Sequence, residues 1–344
     1  MKRRTFLKTV GVAAGAIAIS RKSLFAAPDQ PNRELIPHAS GLPRRVLGRT
    51  GRKVSIVAYP GLALSKGAQA EASAALRRGY DAGVNYFDVA PAYGDAEVKM
   101  GVAMQATKIP RDEIFLACKT KRRDAKGARA ELERSLTRLK TDHFDLYQLH
   151  VMSTDDDVRE ALAPGGALEA LLKARDEGKV RWLGFSAHTK PAALALLKAH
   201  KFDTVMYPVN FIEHFQHKFD PEVLQLARDA GAAAIAIKPV SAGGWKPGER
   251  RTRGNWWYRV LEEPKEIEQA IRFSLSLDPV VTVLPTSFFD IADLSIAAGK
   301  AYRPATDADL DALRALAGKY VPLFRPNSST GDFSPHSEYY ASHA

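Results

Sequence analysis

The chain has 344 residues, 45% of them hydrophobic, which is enough for one α/β barrel of ~250 residues with extensions, or for two domains, with a sizeable core. Its formal net charge is +11, but the lysines and arginines are scattered rather than clustered, which argues against nucleic-acid binding. The single cysteine, Cys118, excludes an internal disulfide, an iron–sulfur cluster and a cysteine-rich zinc site, and its apolar surroundings predict a buried structural thiol.

Residues 1–26 are predicted to be a twin-arginine (Tat) signal peptide. Arg3 and Arg4 precede Phe6 and an apolar run over 10–19, which is shorter than the ~20 residues that a membrane span needs. We therefore expect export of the folded protein to the periplasm by the Tat machinery, with no stable membrane span in the mature form. Cleavage is expected near residue 26, and an uncleaved signal would leave the protein anchored to the membrane. A proline-rich linker over 27–43 follows.

The remaining chain alternates between short apolar runs and amphipathic stretches. Residues 45–47 and 54–57 flank a glycine-containing turn and predict a β-hairpin. Strands are predicted at 55–59, 86–90, 114–119, 144–150, 181–186, 204–209, 233–238 and 280–285. Helices are predicted at 70–82, 95–106, 126–139, 166–178, 190–200, 220–230, 262–277 and 290–299.

Eight such strand–helix pairs predict a (β/α)8 TIM barrel, which we assign to residues 44–325. An extra helix is expected over 305–320, followed by a C-terminal tail at 326–344. A doubly wound open sheet is the alternative, but its first strand is usually followed by a glycine-rich phosphate loop. The sequence over 59–63, Y-P-G-L-A, contains no such loop.

Polar residues stand at or just beyond the ends of three predicted strands. Asp88 lies within an apolar run, where an unpaired carboxylate costs several kcal/mol, so it needs a cationic partner. Lys119 ends the next run and His150 the one after, while Tyr93 follows five residues after Asp88. Because the carboxyl ends of parallel barrel strands meet at one face, these four residues predict an active site there.

Five segments in this order and spacing resemble the aldo-keto reductase family over about residues 43–300. They are R-V-L-G-R-T-G-R-K-V-S (45–55), F-D-V-A-P-A-Y-G (87–94), I-F-L-A-C-K-T (114–120), S-L-T-R-L-K-T-D-H-F-D-L-Y-Q-L-H (135–150) and G-K-V-R-W-L-G-F-S-A-H (178–188). The resemblance implies a (β/α)8 barrel that binds NAD(P)H and reduces an aldehyde or ketone to an alcohol.

The resemblance also implies roles for the four polar residues. Tyr93 matches the family's general acid and Lys119 its cationic neighbour. Asp88 matches the partner of the lysine, and His150 the imidazole at the carbonyl oxygen. A tyrosine has an ordinary pKa of ~10, and a cation within ~4–6 Å is expected to lower it.

The cofactor contacts implied by the resemblance depart from the family pattern. The family's Ser-Asn pair is Ser186-Ala187 here, Met206 stands where a glutamine is frequent, and Ile237 stands where a tyrosine stacks on the nicotinamide. A Lys-Pro dipeptide and a Gly-Gly turn follow Ile237 and are candidates for phosphate binding. The candidate cofactor-binding residues are Ser186, Met206, Ile237, Lys238, Pro239, Gly243 and Ser287.

The sequence leaves the form of the cofactor open. NADP(H) is expected in preference to NAD(H) from the family, but the arginine that often follows the eighth strand is missing near Ser287. Arg250, Arg251 and Arg253 are candidates to replace it, and the aromatic run 256–258 in the same loop is a candidate cover for the cofactor or the substrate.

One further segment and two other functions remain as alternatives. Residues 213–217, E-H-F-Q-H, match no strong zinc spacing, so we expect no metal site and interpret them as a loop lining the substrate side. An exported cofactor-binding or redox-sensing barrel with little turnover is the main alternative to a reductase. A Schiff-base enzyme using Lys119 ranks last, because Asp88 would raise the pKa of that amine.

Overall fold

The computed structural model of the protein describes residues 34–254 and 256–324. The predicted signal peptide, residues 27–33 of the linker, residue 325 and the predicted C-terminal tail lie outside the described residues. Within the described ranges, no helix combines the length and apolarity needed to cross a membrane.

A β-hairpin precedes the central sheet, as predicted, and consists of β1 (Arg44–Val46) and β2 (Lys53–Ser55), paired antiparallel. Leu47 and Val54 from this hairpin are fully buried in the inner core, and Arg49 Nε donates to the carbonyl oxygen of Gly231 over 3.1 Å. Because Gly231 lies two residues before a barrel strand, the hairpin covers the amino-terminal end of the barrel and leaves the carboxyl end open.

Eight parallel strands form the central sheet and neighbour one another in chain order. They are β3 (Tyr59–Pro60), β4 (Tyr86–Asp88), β5 (Phe115–Thr120), β6 (Phe144–Met152), β7 (Val180–Ala187), β8 (Thr204–Pro208), β9 (Ala233–Ile237) and β10 (Val280–Leu284). The segment before β3 returns to β10: Ala58 N–H donates to Val283 O over 2.8 Å, and Val283 N–H donates to Ile56 O over 3.0 Å. The (β/α)8 prediction is confirmed, and the open doubly wound sheet is excluded.

The bounds of the first predicted strand were wrong. Residues 53–55 belong to the hairpin, and only Tyr59–Pro60 pairs with the next barrel strand. The apolar run at 54–59 serves both structures in succession, and an apolar pattern alone does not show where the chain changes its pairing partner.

The eight predicted helices are present, and two more occur at the carboxyl end of the barrel. The predicted ones are α1 (Gln69–Asp81), α2 (Ala96–Ala106), α3 (Ala125–Leu139), α5 (Ala167–Asp176), α6 (Lys190–Ala199), α8 (Pro221–Asp229), α9 (Pro264–Leu275) and α10 (Phe289–Lys300). The additional helices are α4 (Asp155–Leu162) after β6 and α7 (Phe211–His217) after β8. The predicted terminal helix is α11 (Asp307–Ala317), which begins with a capping box between Thr306 and Asp309.

The two-residue period of β5 divides its side chains between two environments. Cys118 faces outward, where its thiol lies 3.6 Å from Glu97 Oε1 of α2, and it is fully buried as predicted. Lys119, one residue later, faces into the barrel toward Asp88 of β4. A polar layer therefore forms inside the barrel near the carboxyl ends of its strands.

Gly61, just after β3, allows the backbone of β4 to approach closely. A Cβ built on Gly61 would lie 2.2 Å from the carbonyl oxygen of Asp88, a backbone atom that cannot move without shifting the strand.

We predict that Gly61→Ala lowers the free energy of unfolding by roughly 1–3 kcal/mol, measured by urea denaturation. Gly318→Ala is the control, since Gly318 has φ −61° and no neighbour nearer than 3.7 Å, and its stability should be unchanged or slightly higher.

Candidate active site

A buried ion pair forms the floor of the site. Asp88 at the end of β4 and Lys119 in β5 are both fully buried, and Lys119 Nζ donates to Asp88 Oδ1 and, over 3.2 Å, to the carbonyl oxygen of Val89. Burial lowers the pKa of Lys119, but Asp88 and the nearby Tyr93 outweigh it, so the pKa is raised. Lys119 is therefore held protonated and in a fixed position, as the sequence predicted.

Tyr93 lies in the loop between β4 and α2 and is half-buried. Lys119 Nζ lies 5.1 Å from the centroid of its ring. Burial raises the pKa of Tyr93, and Lys119 lowers it as expected, but burial is the larger effect and the net pKa is raised. The prediction of a lowered pKa was therefore wrong in its net direction, and the Tyr93 hydroxyl carries its proton at neutral pH.

His150 in β6 completes the group. Its ring meets the Tyr93 ring edge-on, with 5.6 Å between the centroids, and the side chain is 5% exposed. Burial, followed by the positive charges of Lys119 and Lys121, holds the pKa of His150 well below its usual value, so the imidazole is neutral. Its Nδ1 makes no hydrogen bond to any residue in the described ranges. A neutral imidazole keeps one N–H that can donate to a carbonyl oxygen.

These residues open into a cleft of about 260 Å³ at the carboxyl end of the barrel. Its walls come from the carboxyl-terminal halves of strands β6 to β10 and from the loops that follow β3, β4, β5, β7, β9 and β10. The described residues that line the cleft include three lysines and two histidines but no Asp or Glu. The polar and aromatic lining residues are Ser65, Lys66, Tyr93, Lys121, His150, Ser186, His188, Lys238, Trp256, Trp257, Tyr258, Thr286 and Ser287.

Five of the seven predicted cofactor residues line this cleft: Ser186, Met206, Ile237, Lys238 and Ser287. Ser186 Oγ accepts a hydrogen bond from the Val151 N–H over 2.8 Å. The hydroxyl hydrogen of Ser186 has no acceptor among the described residues and remains available to a ligand.

Pro239 and Gly243 are not among the described residues that line the cleft. The Gly243 N–H donates to Ser241 Oγ over 3.0 Å, and the Gly244 N–H donates to Val321 O over 2.8 Å. A Cβ on Gly243, whose φ is +78°, would lie 2.1 Å from Val321 O. The Gly-Gly turn thus packs against the C-terminal segment, and both of its N–H groups are engaged within the chain.

Lys238 and His188 form a pair that the sequence analysis did not identify. Lys238 Nζ lies 2.9 Å from His188 Nε2, and its ammonium stands over the Trp257 and Phe324 rings at 5.4 and 5.6 Å from their centroids. Burial lowers the pKa of Lys238 to about 7. The sequence did contain a signal for His188. It lies two residues beyond Ser186, and the two-residue period of a strand places both side chains on the same face.

The aromatic run after β9 forms one wall. Trp256, Trp257 and Tyr258 are all nearly buried, and Tyr258 OH lies 2.9 Å from Thr286 Oγ1 after β10. Arg253 from the same loop forms ion pairs with Glu262 and, at 2.8 Å, with Asp290. The structure therefore shows the aromatic run in the cleft, whereas the guanidinium of Arg253 is engaged by two carboxylates.

The interpretation of 213–217 as a loop on the substrate side was wrong. These residues belong to α7, and the buried Glu213 carboxylate accepts hydrogen bonds from the Leu323 and Phe324 N–H groups. His217 Nδ1 donates to Phe324 O over 2.8 Å. The segment binds the returning C-terminal chain, a contact between residues more than 100 positions apart that a local pattern does not show. Within the described ranges, no group of three His, Cys, Asp or Glu side chains is arranged to hold a metal ion.

Comparisons with known proteins agree with the fold and the motifs. A family model described as the aldo/keto reductase family matches residues 61–256. An aldo-keto reductase of Mycolicibacterium paratuberculosis is 26% identical over 263 residues, covering 72% of this chain and 82% of that protein. L-galactose dehydrogenase of Arabidopsis thaliana is 32% identical over 157 residues, which is 41% of this chain and 47% of that protein.

A solved structure supports the same fold. The holo form of an aldo-keto reductase from Bacillus halodurans superimposes with a TM-score of 0.65 at 22% identity, covering 86% of this chain and 99% of that one. At this identity the likeness concerns the fold alone.

Glu213 makes stability depend on pH in a specific direction. Burial raises its pKa to about 8, and the hydrogen bonds from Leu323 and Phe324 oppose that rise. The pKa of Glu213 in the folded protein exceeds the unfolded value of ~4.3. Its contribution to stability is therefore fully present below pH ~4.3, and this contribution is lost as the pH rises toward 8. We predict that Glu213 contributes a fall in the free energy of unfolding across this window, of at most ~1.4 kcal/mol per pH unit.

The check is a comparison of thermal melts from pH 5 to 8. Glu213→Gln should remove this falling contribution, because the amide does not titrate, so the variant should lose less stability, relative to wild type, as the pH rises. Glu222→Gln, at an exposed site on α8, is the control and should keep the wild-type slope. Parallel slopes for wild type and Glu213→Gln would contradict the raised pKa.

Proposed function

The chain belongs to the aldo/keto reductase family, and on that premise we propose that it is an oxidoreductase that reduces an aldehyde or ketone to an alcohol with NAD(P)H. The observation that carries the proposal is the convergence of Tyr93, Lys119, Asp88 and His150 at the open end of the barrel. Two of these groups hold protons that face one cleft, and the other two form the buried pair beneath them.

The geometry supports an order of events at the carbonyl oxygen. The neutral His150 donates a hydrogen bond to that oxygen, and the Tyr93 hydroxyl transfers its proton to it as negative charge develops. The Lys119 ammonium stabilises the phenolate that this transfer leaves behind. Asp88 keeps the ammonium protonated and prevents it from moving into the cleft.

The lining residues fit a nicotinamide cofactor. The unshared hydroxyl hydrogen of Ser186 can donate to a carboxamide, and Met206 and Ile237 offer an apolar surface beside it. Lys238 and Ser287 are polar lining groups that follow β9 and β10, farther around the barrel from Ser186, and Pro239 and Gly243 belong to the segment that follows β9. When bound, the cofactor supplies the hydride.

We expect NADP(H) in preference to NAD(H), on the family pattern. Arg253 already has two carboxylate partners, so a 2′-phosphate would have to compete with them or use Arg250 and Arg251 of the same loop. Fluorescence titration with NADPH and NADH in parallel measures the preference directly.

Tyr93→Phe tests the mechanism. Removing the hydroxyl removes the proton donor but leaves the ring, so the rate of carbonyl reduction should fall by roughly 100- to 10,000-fold. The measurement is the oxidation of NADPH at 340 nm with a panel of small aldehydes and ketones. Binding of NADPH, followed by fluorescence, should be unchanged in the variant.

Two outcomes would contradict the proposal. Full reduction by Tyr93→Phe would remove this tyrosine from the mechanism. Tight cofactor binding by the wild type without reduction of any carbonyl compound in the panel would favour the alternative, an exported cofactor-binding or redox-sensing barrel with little turnover.

We also propose export through the Tat route, which the motif at residues 2–8 supports. Replacing Arg3 and Arg4 with lysine keeps the charge but changes the paired guanidinium groups. We predict that the double variant stays in the cytoplasm, whereas the wild type reaches the periplasm, as measured by cell fractionation and immunoblotting. Equal periplasmic fractions for the two proteins would contradict this proposal.

A further inference from the structure

Lys121 is a cation in the cleft that the mechanism above does not use. It follows β5 directly, two residues after Lys119, and the two-residue period of a strand places both on the same side, with Lys121 nearer the open end. It is half-buried and lines the cleft together with Tyr93 and His150. Its charge helps to lower the pKa of His150 and of His188, which is consistent with a position beside both rings.

The neighbouring carboxylates are engaged by other groups. Glu131 accepts from the Thr120 hydroxyl over 2.6 Å and from the backbone N–H of Lys121 over 3.2 Å. Asp157 binds the Arg123 guanidinium at 2.8 Å. No carboxylate in the described ranges lies within 4 Å of the Lys121 ammonium.

Lys121 stands on the side of His150 away from the proposed nicotinamide contacts. In the sheet, β6 separates β5 from β7, so His150 lies between Lys121 and Ser186. Lys238, another cation that lines the cleft, lies on the Ser186 side and already contacts His188. The position of Lys121 therefore assigns it to the substrate rather than to the cofactor.

We propose that Lys121 binds a carboxylate carried by the substrate next to its carbonyl group, so that the preferred substrates are 2-oxo acids or aldehyde acids. This inference rests on the proposed reductase function and names its substrate class. Neighbouring strands are ~4.8 Å apart, so side chains at the ends of β5 and β6 can contact two adjacent functional groups of one small molecule. The absence of any Asp or Glu among the described lining residues removes the repulsion that such an anion would otherwise meet.

The test compares pyruvate with its neutral ester, methyl pyruvate, for the wild type and Lys121→Gln. The variant should raise KM for pyruvate by roughly 10- to 100-fold, as expected for losing a hydrogen bond to a charged group, with little change in kcat. KM for methyl pyruvate should change less than about 3-fold on the same grounds. Lys126→Gln, at an exposed site on α3, is the matched control and should behave as wild type toward both compounds.

Binding measurements separate this inference from the proposed function. Calorimetry with oxamate, an unreactive acid of the same shape, and with its neutral amide oxamide requires no turnover. Oxamate should bind the wild type at least 10-fold more tightly than Lys121→Gln, and the affinity for oxamide should be the same in both.

Three results would overturn the inference. The first is an equal rise in KM for pyruvate and for methyl pyruvate in Lys121→Gln. The second is an oxamate affinity that is the same in wild type and Lys121→Gln. The third is weaker NADPH binding by Lys121→Gln with an unchanged ratio of KM values for acid and ester. The third result would assign Lys121 to the cofactor. If the wild type reduces neutral carbonyl compounds and any of these three results is obtained, the substrate class is refuted and the proposed function stands.

Discussion

The ion pair between Lys119 and Asp88 is the constraint on which the site depends. Taking both charges out of water costs several kcal/mol each, which only close pairing and further hydrogen bonds offset. Here the lysine also binds the Val89 carbonyl, so its ammonium has one position. From that position it acts on the pKa values of Tyr93 and His150, and so helps to set which of them holds a proton at neutral pH.

The two ends of the barrel are built for different purposes. At the amino-terminal end, Leu47 and Val54 of the hairpin pack with Phe115 in an apolar layer that seals the barrel. At the carboxyl end Asp88, Lys119 and His150 occupy inward positions beside the apolar Met206 and Ile237, and the C-terminal segment packs next to the site. Phe324 stacks near His188, with 6.2 Å between ring centroids, and is held by Glu213 of α7. Stability and chemistry thus occupy opposite ends of one sheet.

Much of the fold could be predicted because its signals are local. Apolar runs, amphipathic periods and turn glycines marked eight strands and eight helices, and parallel strands bring their carboxyl ends to one face. That rule alone brought Asp88, Lys119 and His150 together. The helices α4 and α7 were missed because each is short, at eight and seven residues, and lies in the connection between a predicted strand and the predicted helix that follows it.

The sequence by itself determined the barrel, the order of its strands and the four residues at the base of the cleft, since each follows from a local period or a motif. Only the tertiary structure decided the net direction of the Tyr93 pKa shift, the pairing of Lys238 with His188 and the engagement of the Gly243 N–H group. Burial and contacts between distant segments control these properties. They depend on which side chains meet after the chain closes on itself, and no local pattern records that.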